Sequence, residues 1–164
     1  MHKTLKYQEE AVDKLVKQAN ELLERSGPKT CIFKAPTGSG KTIMMAEFLS
    51  RLVENRKDGK DFSFIWAAPR KLHNQSKEKL ENYYKDTRTL QCSNIEDLVD
   101  KKIGENEILF LNWESINKKD NVFVRENEND FNLTSIVENT LEDGREIILV
   151  IDESHHTASA ENTR

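Results

Sequence analysis

The stretch Ala35-Pro-Thr-Gly-Ser-Gly-Lys-Thr42 decides the fold, because it lies between an apolar run and a segment with helical periodicity. It departs from the glycine-rich phosphate-loop pattern G-x-x-x-x-G-K-[ST] only at its first position, where Ala35 replaces glycine. Gly38 and Gly40 still allow the backbone to curl, so that successive N–H groups point at phosphate oxygens. We interpret the stretch as a phosphate-binding loop, which fits its flanks better than a plain glycine turn with an ordinary lysine.

The residue types in this loop indicate ATP with Mg²⁺ as the ligand. Lys41 supplies a positive charge to the outer phosphates, and the Thr42 hydroxyl can ligate Mg²⁺. The helix predicted to begin near Lys41 adds the positive end of its dipole. The candidate nucleotide-binding residues of the loop are therefore Thr37, Gly38, Ser39, Gly40, Lys41 and Thr42.

Apolar segments alternate with amphipathic segments along the rest of the chain. The run 62–68 contains no charged residue, as is typical of a strand buried on both faces of a sheet. The predicted strands are 31–35, 62–68, 89–92, 108–111 and 146–151, and the predicted helices are 8–26, 41–55, 72–84, 94–104 and 131–141. Strands that alternate with helices predict an α/β fold with a mostly parallel sheet and helices on both faces. The polar stretch 117–130 is interpreted as an inserted surface loop.

Two carboxylates follow the last apolar run. Asp152 and Glu153 are predicted to emerge at the carboxyl edge of a buried strand, where a phosphate loop must also lie in an open α/β sheet. Phosphoryl transfer needs a metal ion that neutralises developing charge and a group that positions the attacking water. We assign Asp152 to the magnesium shell and Glu153 to the water. Acidic residues also end strands without any such role, so the phosphate loop is what favours this assignment.

The composition narrows the class of protein. Charged residues make up 33% of the 164 residues, above the usual ~25%, and hydrophobic residues make up 36%. No apolar stretch approaches the length that a bilayer span requires, so we expect a cytoplasmic protein without membrane contact. Cys31 and Cys92 form neither a disulfide framework nor a zinc pattern. The net charge of -4 does not by itself indicate a nucleic-acid binder, and a protein that binds only nucleotide stays open.

These motifs resemble those of superfamily-two helicases and translocases. Ala35–Thr42 resembles the family's first motif, and Asp152-Glu-Ser-His155 resembles its DExH box. Lys6-Tyr-Gln8 resembles the upstream motif whose glutamine binds the adenine edge, for which Gln8 has both a donor and an acceptor. The resemblance implies a P-loop NTPase lobe of the RecA type. It also implies that His155 couples the ATP site to the family's third motif, although His155 could equally be a partly exposed histidine near a strand end.

Two further stretches resemble the family's nucleic-acid motifs. Ala68-Pro-Arg-Lys-Leu72, with Gln75, resembles the motif that touches the nucleic-acid backbone, but Arg70 replaces the usual threonine and the spacing is one residue shorter. Asn112-Trp-Glu-Ser-Ile116 is a looser match to a second motif on the bound strand. The residues implied in nucleic-acid contact are Pro69, Arg70, Lys71 and Asn112. A solvated basic turn is the alternative for the first stretch, and a core or partner-facing tryptophan is the alternative for the second.

Within this superfamily the chain looks most like the motor subunits of type I and type III restriction enzymes and related phage-defence helicases. The resemblance implies an ATP-driven DNA translocase or helicase, with DNA, a second RecA-like lobe and a modification or specificity subunit as partners. The third motif and the second lobe are not in the sequence, so we expect 1–164 to be the N-terminal part of an ATP-binding lobe that is weak or inactive alone. An RNA helicase lobe and a non-motor module that senses ATP remain the alternatives.

Overall fold

The structure, a computed structural model, describes residues 5–25, 40–55, 61–112, 114 and 133–152. The described helices are α1 (Lys6–Leu23), α2 (Lys41–Glu54), α3 (His73–Tyr84) and α4 (Leu133–Glu142), with a short 3₁₀ helix at Ile95–Asp97. The described strands are β1 (Phe62–Ala68), β2 (Gln91–Ser93), β3 (Glu107–Asn112) and β4 (Glu146–Ile151). The predicted strand 31–35 and the predicted surface loop 117–130 lie outside the described residues.

The four described strands form one parallel sheet in the order β2-β3-β1-β4. Strand β1 lies between β3 and β4, and all seven of its residues are buried. An uncharged apolar run suits this position, because a central parallel strand is covered on both faces. The parallel sheet with helices between its strands confirms the predicted α/β class.

The side chains of the central strands alternate between two cores. Phe64 and Trp66 of β1 belong to a core with α1, α2 and α3, and the Trp66 ring stacks on Phe110 with centroids 5.8 Å apart. Ile65, between them, packs in a second core with Ile136 of α4. Because successive strand side chains point to opposite faces, the two cores place α4 on the face opposite to the other three helices. The prediction of helices on both faces is confirmed.

Polar contacts fix α2 against the helices on either side of it. The Arg51 guanidinium donates to Glu47 Oε1 at 3.0 Å and also bonds the carboxylate of Asp13 on α1. The Tyr83 hydroxyl of α3 donates to the other oxygen of Glu47. Burial, followed by the adjacent Glu47, raises the pKa of Tyr83, which keeps the phenol protonated as a donor. These contacts hold α2, the helix that follows the predicted phosphate loop, against α1 and α3.

The helix predicted for 94–104 is wrong: only one 3₁₀ turn forms there. Its start was predicted correctly, because the Asp97 side chain accepts the Asn94 N–H at 2.9 Å. The chain then leaves the helical conformation, and Asp100 and Lys101 adopt left-handed φ values of 57° and 56°. Residues with a Cβ adopt this conformation only where surrounding contacts hold them in it.

The other predicted elements that fall within the described residues differ from the structure only near their ends. The strand predicted for 89–92 is found at Gln91–Ser93, and the helix predicted for 131–141 is described from Leu133 to Glu142. None of the helices in the described part of the chain is long and apolar enough to cross a bilayer.

Candidate functional site

Several predicted site residues lie at the carboxyl edge of the sheet. Ala68, the last residue of β1, pairs with Asn112 of β3, and Ala67 pairs with Ile151 of β4. The Asp152 N–H continues this pairing, since it donates to the Ala67 carbonyl at 2.8 Å. Parallel strands all end at the same edge, so Asp152, Asn112 and the turn after β1 leave the sheet close together.

The turn after β1 has an uncommon backbone conformation. Arg70 and Lys71 have φ values of 50° and 60°, in the left-handed region that residues with a Cβ rarely adopt. The Leu72 N–H closes the turn by donating to the Pro69 carbonyl at 2.9 Å. Two consecutive residues in this region imply strain of about 1 kcal/mol or more each, which other contacts must offset.

Those contacts come from the last residue of β3 and from Glu114, just beyond it. The Lys71 N–H donates to Asn112 Oδ1 at 3.0 Å. The Arg70 N–H donates to both carboxylate oxygens of Glu114, at 3.1 and 3.2 Å. The backbone donors of the turn therefore point at Asn112 and Glu114, while the side chains of Arg70 and Lys71 are exposed. A phosphate at this turn would contact the two cationic side chains. It would not contact the backbone N–H groups of Arg70 and Lys71, because these already donate to Glu114 and Asn112.

His73, at the start of α3, lies beside the same turn. Burial lowers the pKa of His73, the Glu114 carboxylate opposes that shift, and the Lys71 charge adds to it. Its Nδ1 atom is buried and finds no hydrogen-bond partner within the described ranges. The imidazole is therefore predominantly neutral near pH 7 and adds no positive charge to the basic turn.

The carboxylate of Asp152 is held by α3. The Ser76 hydroxyl donates to Asp152 Oδ2 at 3.1 Å, and Ser76 is only 5% exposed. Helix α3 begins directly after the turn that carries Arg70 and Lys71. One helix thus connects the basic turn with the carboxylate that ends β4.

A second group of predicted residues meets between α1 and α2. Gly40 is the N-cap of α2 and has φ 80°, and a Cβ atom built on it would lie 2.3 Å from Gln8 Nε2. Gln8 is 7% exposed, and its Oε1 atom accepts the Leu5 N–H at 2.8 Å. The predicted adenine-binding side chain therefore packs directly on the last glycine of the predicted phosphate loop. Lys41 and Thr42 follow in the first turn of α2, where N–H groups have no partner within the helix.

The remaining predicted site residues are Thr37, Gly38, Ser39, Glu153 and His155, and they lie outside the described residues. The contacts above bring Gln8 to Gly40, and they bring Asn112 to the turn that contains Lys71. The convergence of Lys41 and Asp152 on one nucleotide stays a prediction, as do the roles assigned to each of these side chains.

The donor atoms suit a magnesium ion better than a softer metal. In the described part of the chain, no group of three or more His, Cys, Asp or Glu side chains could hold a metal ion. Mg²⁺ does not need such a group, because one or two carboxylates together with substrate phosphates and waters hold it in nucleotide sites. The Thr42 hydroxyl and the Asp152 carboxylate are hard oxygen donors of this kind, so the residues present fit Mg²⁺ bound with ATP.

Sequence reasoning missed two residues that shape this edge, Ser76 and Glu114. Ser76 begins a buried stripe of α3 that continues at four-residue spacing through Leu80 and Tyr84. A polar residue in such a stripe indicates a specific hydrogen bond, because a buried hydroxyl without one is unfavourable. Glu114 lies two residues beyond Asn112, past the end of β3, and no local pattern in the sequence marks it.

Comparison with known proteins identifies a family for this chain. The protein family described as "Type III restriction enzyme, res subunit" matches residues 1–164. Comparison with curated proteins finds no match, and comparison with solved structures finds none. The family match covers the whole chain, and the parallel sheet agrees with the RecA-like P-loop fold of that family. The chain therefore belongs to the family of type III restriction enzyme res subunits.

Proposed function

We propose that this chain is the ATP-binding and ATP-hydrolysing lobe of a DNA-dependent translocase or helicase of the restriction type. Membership of the family indicates a helicase-like ATPase domain. The observation that carries the finer proposal is the hydrogen bond from Ser76 to Asp152. It joins the carboxylate expected at the nucleotide to the helix that begins at the basic turn expected at DNA.

On the nucleotide side, the phosphate loop binds the phosphates and α1 provides the side chain that binds the adenine. Residues 37–40 supply backbone N–H groups to the phosphates, and Lys41 adds a positive charge to the outer ones. Gln8 binds the adenine edge through its amide. The close contact between Gln8 and Gly40 supports this assignment, because one ligand would have to touch both residues.

For hydrolysis, water attacks the γ-phosphate of ATP. The bond to the ADP leaving group breaks, and Mg²⁺, when bound with ATP, would supply positive charge that offsets the negative charge on the phosphates. Thr42 and Asp152 would hold the ion. Glu153 orients the attacking water, and Lys41 stabilises charge on the transferred group.

On the nucleic-acid side, the exposed side chains of Arg70 and Lys71 bind backbone phosphates of DNA. Pro69 begins the turn that presents them, and Asn112 fixes its backbone. The chain as a whole carries a net charge of -4, so binding depends on these local cations and involves few phosphates. His155 relays the state of the ATP site, and a second RecA-like lobe and a modification or specificity subunit complete the motor.

The test measures ATP turnover by the full-length protein in the presence of duplex DNA, single-stranded DNA or RNA. We expect DNA to stimulate turnover. Replacement of Glu153 by Gln should reduce turnover at least about 100-fold with little change in nucleotide affinity, whereas Lys41→Ala should weaken nucleotide binding itself. Turnover that responds to no polynucleotide would exclude a motor, and stimulation by RNA alone would make the protein an RNA helicase.

A basic-turn variant separates DNA binding from nucleotide binding. Replacing Arg70 and Lys71 together by alanine should weaken DNA binding and reduce the dependence of affinity on salt, because fewer counterions are released. Its matched control replaces Lys14 and Lys17, two exposed lysines of α1, by alanine. Equal effects of the two double variants on DNA binding would show that the basic turn does not contact DNA.

A further inference from the structure

We propose that Ser76 is a positioning residue that sets the orientation of the Asp152 carboxylate and, through α3, ties it to the turn Pro69–Leu72. The inference rests on the proposed function, since it takes Asp152 to be a ligand of the magnesium ion bound with ATP. It goes beyond that function because Ser76 itself would touch neither nucleotide nor metal.

The burial of Ser76 argues for a specific role. The side chain is 5% exposed, and its hydroxyl donates to Asp152 Oδ2 at 3.1 Å. This bond spans 76 positions along the chain and connects a helix to the end of a strand. Hydrogen bonds from a neutral donor to an ionised carboxylate are among the stronger ones, so this one limits rotation of the Asp152 side chain.

The orientation of a metal-binding carboxylate matters because magnesium demands near-ideal octahedral geometry. Asp152 directly follows β4, and its own backbone is fixed by the bond to Ala67. What stays variable is the direction of the carboxylate, and Ser76 bonds one of its two oxygens. Partners of this kind, one step removed from the metal, usually change metal affinity by about 10- to 100-fold when they are lost.

The connection to the turn follows the first hydrogen bonds of α3. The Ser76 N–H donates to the Leu72 carbonyl at 3.1 Å, and the Leu72 N–H donates to the Pro69 carbonyl at 2.9 Å. A displacement of the turn by DNA would therefore move the start of α3 and, with it, the Ser76 hydroxyl. This gives the basic turn a direct route to Asp152.

The first experiment measures the affinity of the full-length protein for a fluorescent, non-hydrolysable ATP analogue in excess Mg²⁺ and again in EDTA. Ser76→Ala should weaken binding about 10-fold in Mg²⁺ and leave binding in EDTA unchanged. Ser76→Thr, which keeps the hydroxyl, should recover most of the affinity. The unchanged affinity in EDTA shows at the same time that the variant is folded.

The matched control is Ser63→Ala. Ser63 is fully buried near the start of β1, and its hydroxyl donates to the carbonyls of Ile103 and Gly104. It therefore lies at the opposite edge of the sheet from Asp152, which follows the end of β4. Ser63→Ala should lower the free energy of unfolding without changing the ratio of the affinities for the analogue in Mg²⁺ and in EDTA. If Ser63→Ala and Ser76→Ala change that ratio equally, or if Ser76→Ala leaves it at the wild-type value, Ser76 is not a positioning residue.

Failure of the proposed function has a different result. If the wild-type protein binds the analogue equally well in Mg²⁺ and EDTA, and Asp152→Asn does not alter this, then Asp152 is no magnesium ligand. Both the metal assignment and the role of Ser76 would then be lost. If Asp152→Asn removes the effect of Mg²⁺ while Ser76→Ala does not, only the inference about Ser76 is overturned.

The second experiment tests the connection between the two sites. A short duplex DNA should tighten binding of the analogue in Mg²⁺ to the wild-type protein, and Ser76→Ala should abolish most of that increase. Binding of the duplex alone, in EDTA, should be the same for both proteins. A DNA effect of the same size in Ser76→Ala would disprove the connection through α3.

Discussion

The backbone N–H of Lys71 donates a hydrogen bond to Asn112 Oδ1 at 3.0 Å, although the two residues are 41 positions apart. This bond links the two stretches implied in nucleic-acid contact, and in it Asn112 accepts a hydrogen bond from the backbone of the basic turn. It holds Lys71 in a left-handed conformation, with φ 60°, that the isolated turn would not favour. The asparagine therefore acts on the shape of the basic turn.

Asn112→Ala should accordingly weaken DNA binding although Asn112 contributes no charge. We expect a loss of about 1 kcal/mol in the free energy of unfolding, because one hydrogen bond is lost and the Lys71 N–H has to find water. Chemical denaturation and DNA titration measure the two effects. Asn139→Ala is the matched control, since the Asn139 side chain also forms a hydrogen bond between elements, donating to the Lys101 carbonyl at 3.0 Å from a helix outside this edge. A DNA affinity that falls equally in both variants would contradict the role of Asn112.

Gly40→Ala should reduce both stability and nucleotide affinity. The new Cβ atom would lie 2.3 Å from Gln8 Nε2, and the residue would keep φ 80°. Gly144→Ala is a control for the backbone alone, because Gly144 has φ 84° and nothing lies within 4 Å of its added Cβ. We expect a loss of about 1 kcal/mol at Gly144 and roughly 2 kcal/mol at Gly40, where the end of the Gln8 side chain also has to move, measured by denaturation.

A double variant identifies the collision as the cause of that difference. Adding Gln8→Ala to Gly40→Ala removes the side chain that the new methyl group meets, so part of the stability should return. The preference for ATP over other nucleotides should stay low in the double variant, because Gln8 is the residue proposed to bind the adenine edge. Equal losses at Gly40 and Gly144 would mean that Gln8 does not restrict this position.

Glu114→Gln should strengthen DNA binding. The amide oxygen can still accept the Arg70 N–H, while the negative charge beside the basic turn is removed. We expect an increase of about two- to five-fold in affinity at low salt, equivalent to about 0.5–1 kcal/mol, and a smaller increase at high salt. Glu142→Gln, at an exposed position on α4, is the control. Unchanged affinity in Glu114→Gln would place the DNA away from this turn.

His73 should make the stability of the protein sensitive to mild acid. Burial is the main cause that lowers the pKa of His73 in the folded state, with Glu114 opposing it and Lys71 adding to it. Below about pH 6.5, the unfolded chain binds a proton at this residue more readily than the folded chain does, so the free energy of unfolding falls as the pH falls.

The measurement compares wild type with His73→Gln by denaturation at about pH 7.5 and about pH 5.5. The free energy of unfolding of the wild type should decrease more over this interval than that of the variant, because glutamine does not titrate. An NMR titration of the imidazole gives the pKa of His73 directly. Identical pH dependence of the two proteins would show that His73 has the same pKa in the folded and unfolded chain.

The sequence alone determined the strands and helices that depend only on the pattern of neighbouring residues. Strand β1 was predicted with its observed bounds, Phe62–Ala68, because seven consecutive uncharged residues suit a strand covered on both faces. Strand β4 was predicted from Glu146 to Ile151 because five apolar residues follow Glu146, and Asp152 was placed at its end. The prediction that this strand is buried is wrong for the described sheet, because β4 lies at its edge and Leu149 and Ile151 are exposed. The order of motifs along the chain also indicated the superfamily, and the family match confirms it.

Only the tertiary structure decided the segment from Leu98 to Gly104 and the partners of the site residues. The segment has a helix start in its sequence, but the Ile103 N–H bonds Thr140 Oγ1 at 2.9 Å and the Ile103 side chain is fully buried under α4. The bond between Ser76 and Asp152 likewise depends on how α3 packs against the end of β4. Such contacts join residues far apart in the chain, and no local pattern of residue types specifies which donor will meet which acceptor.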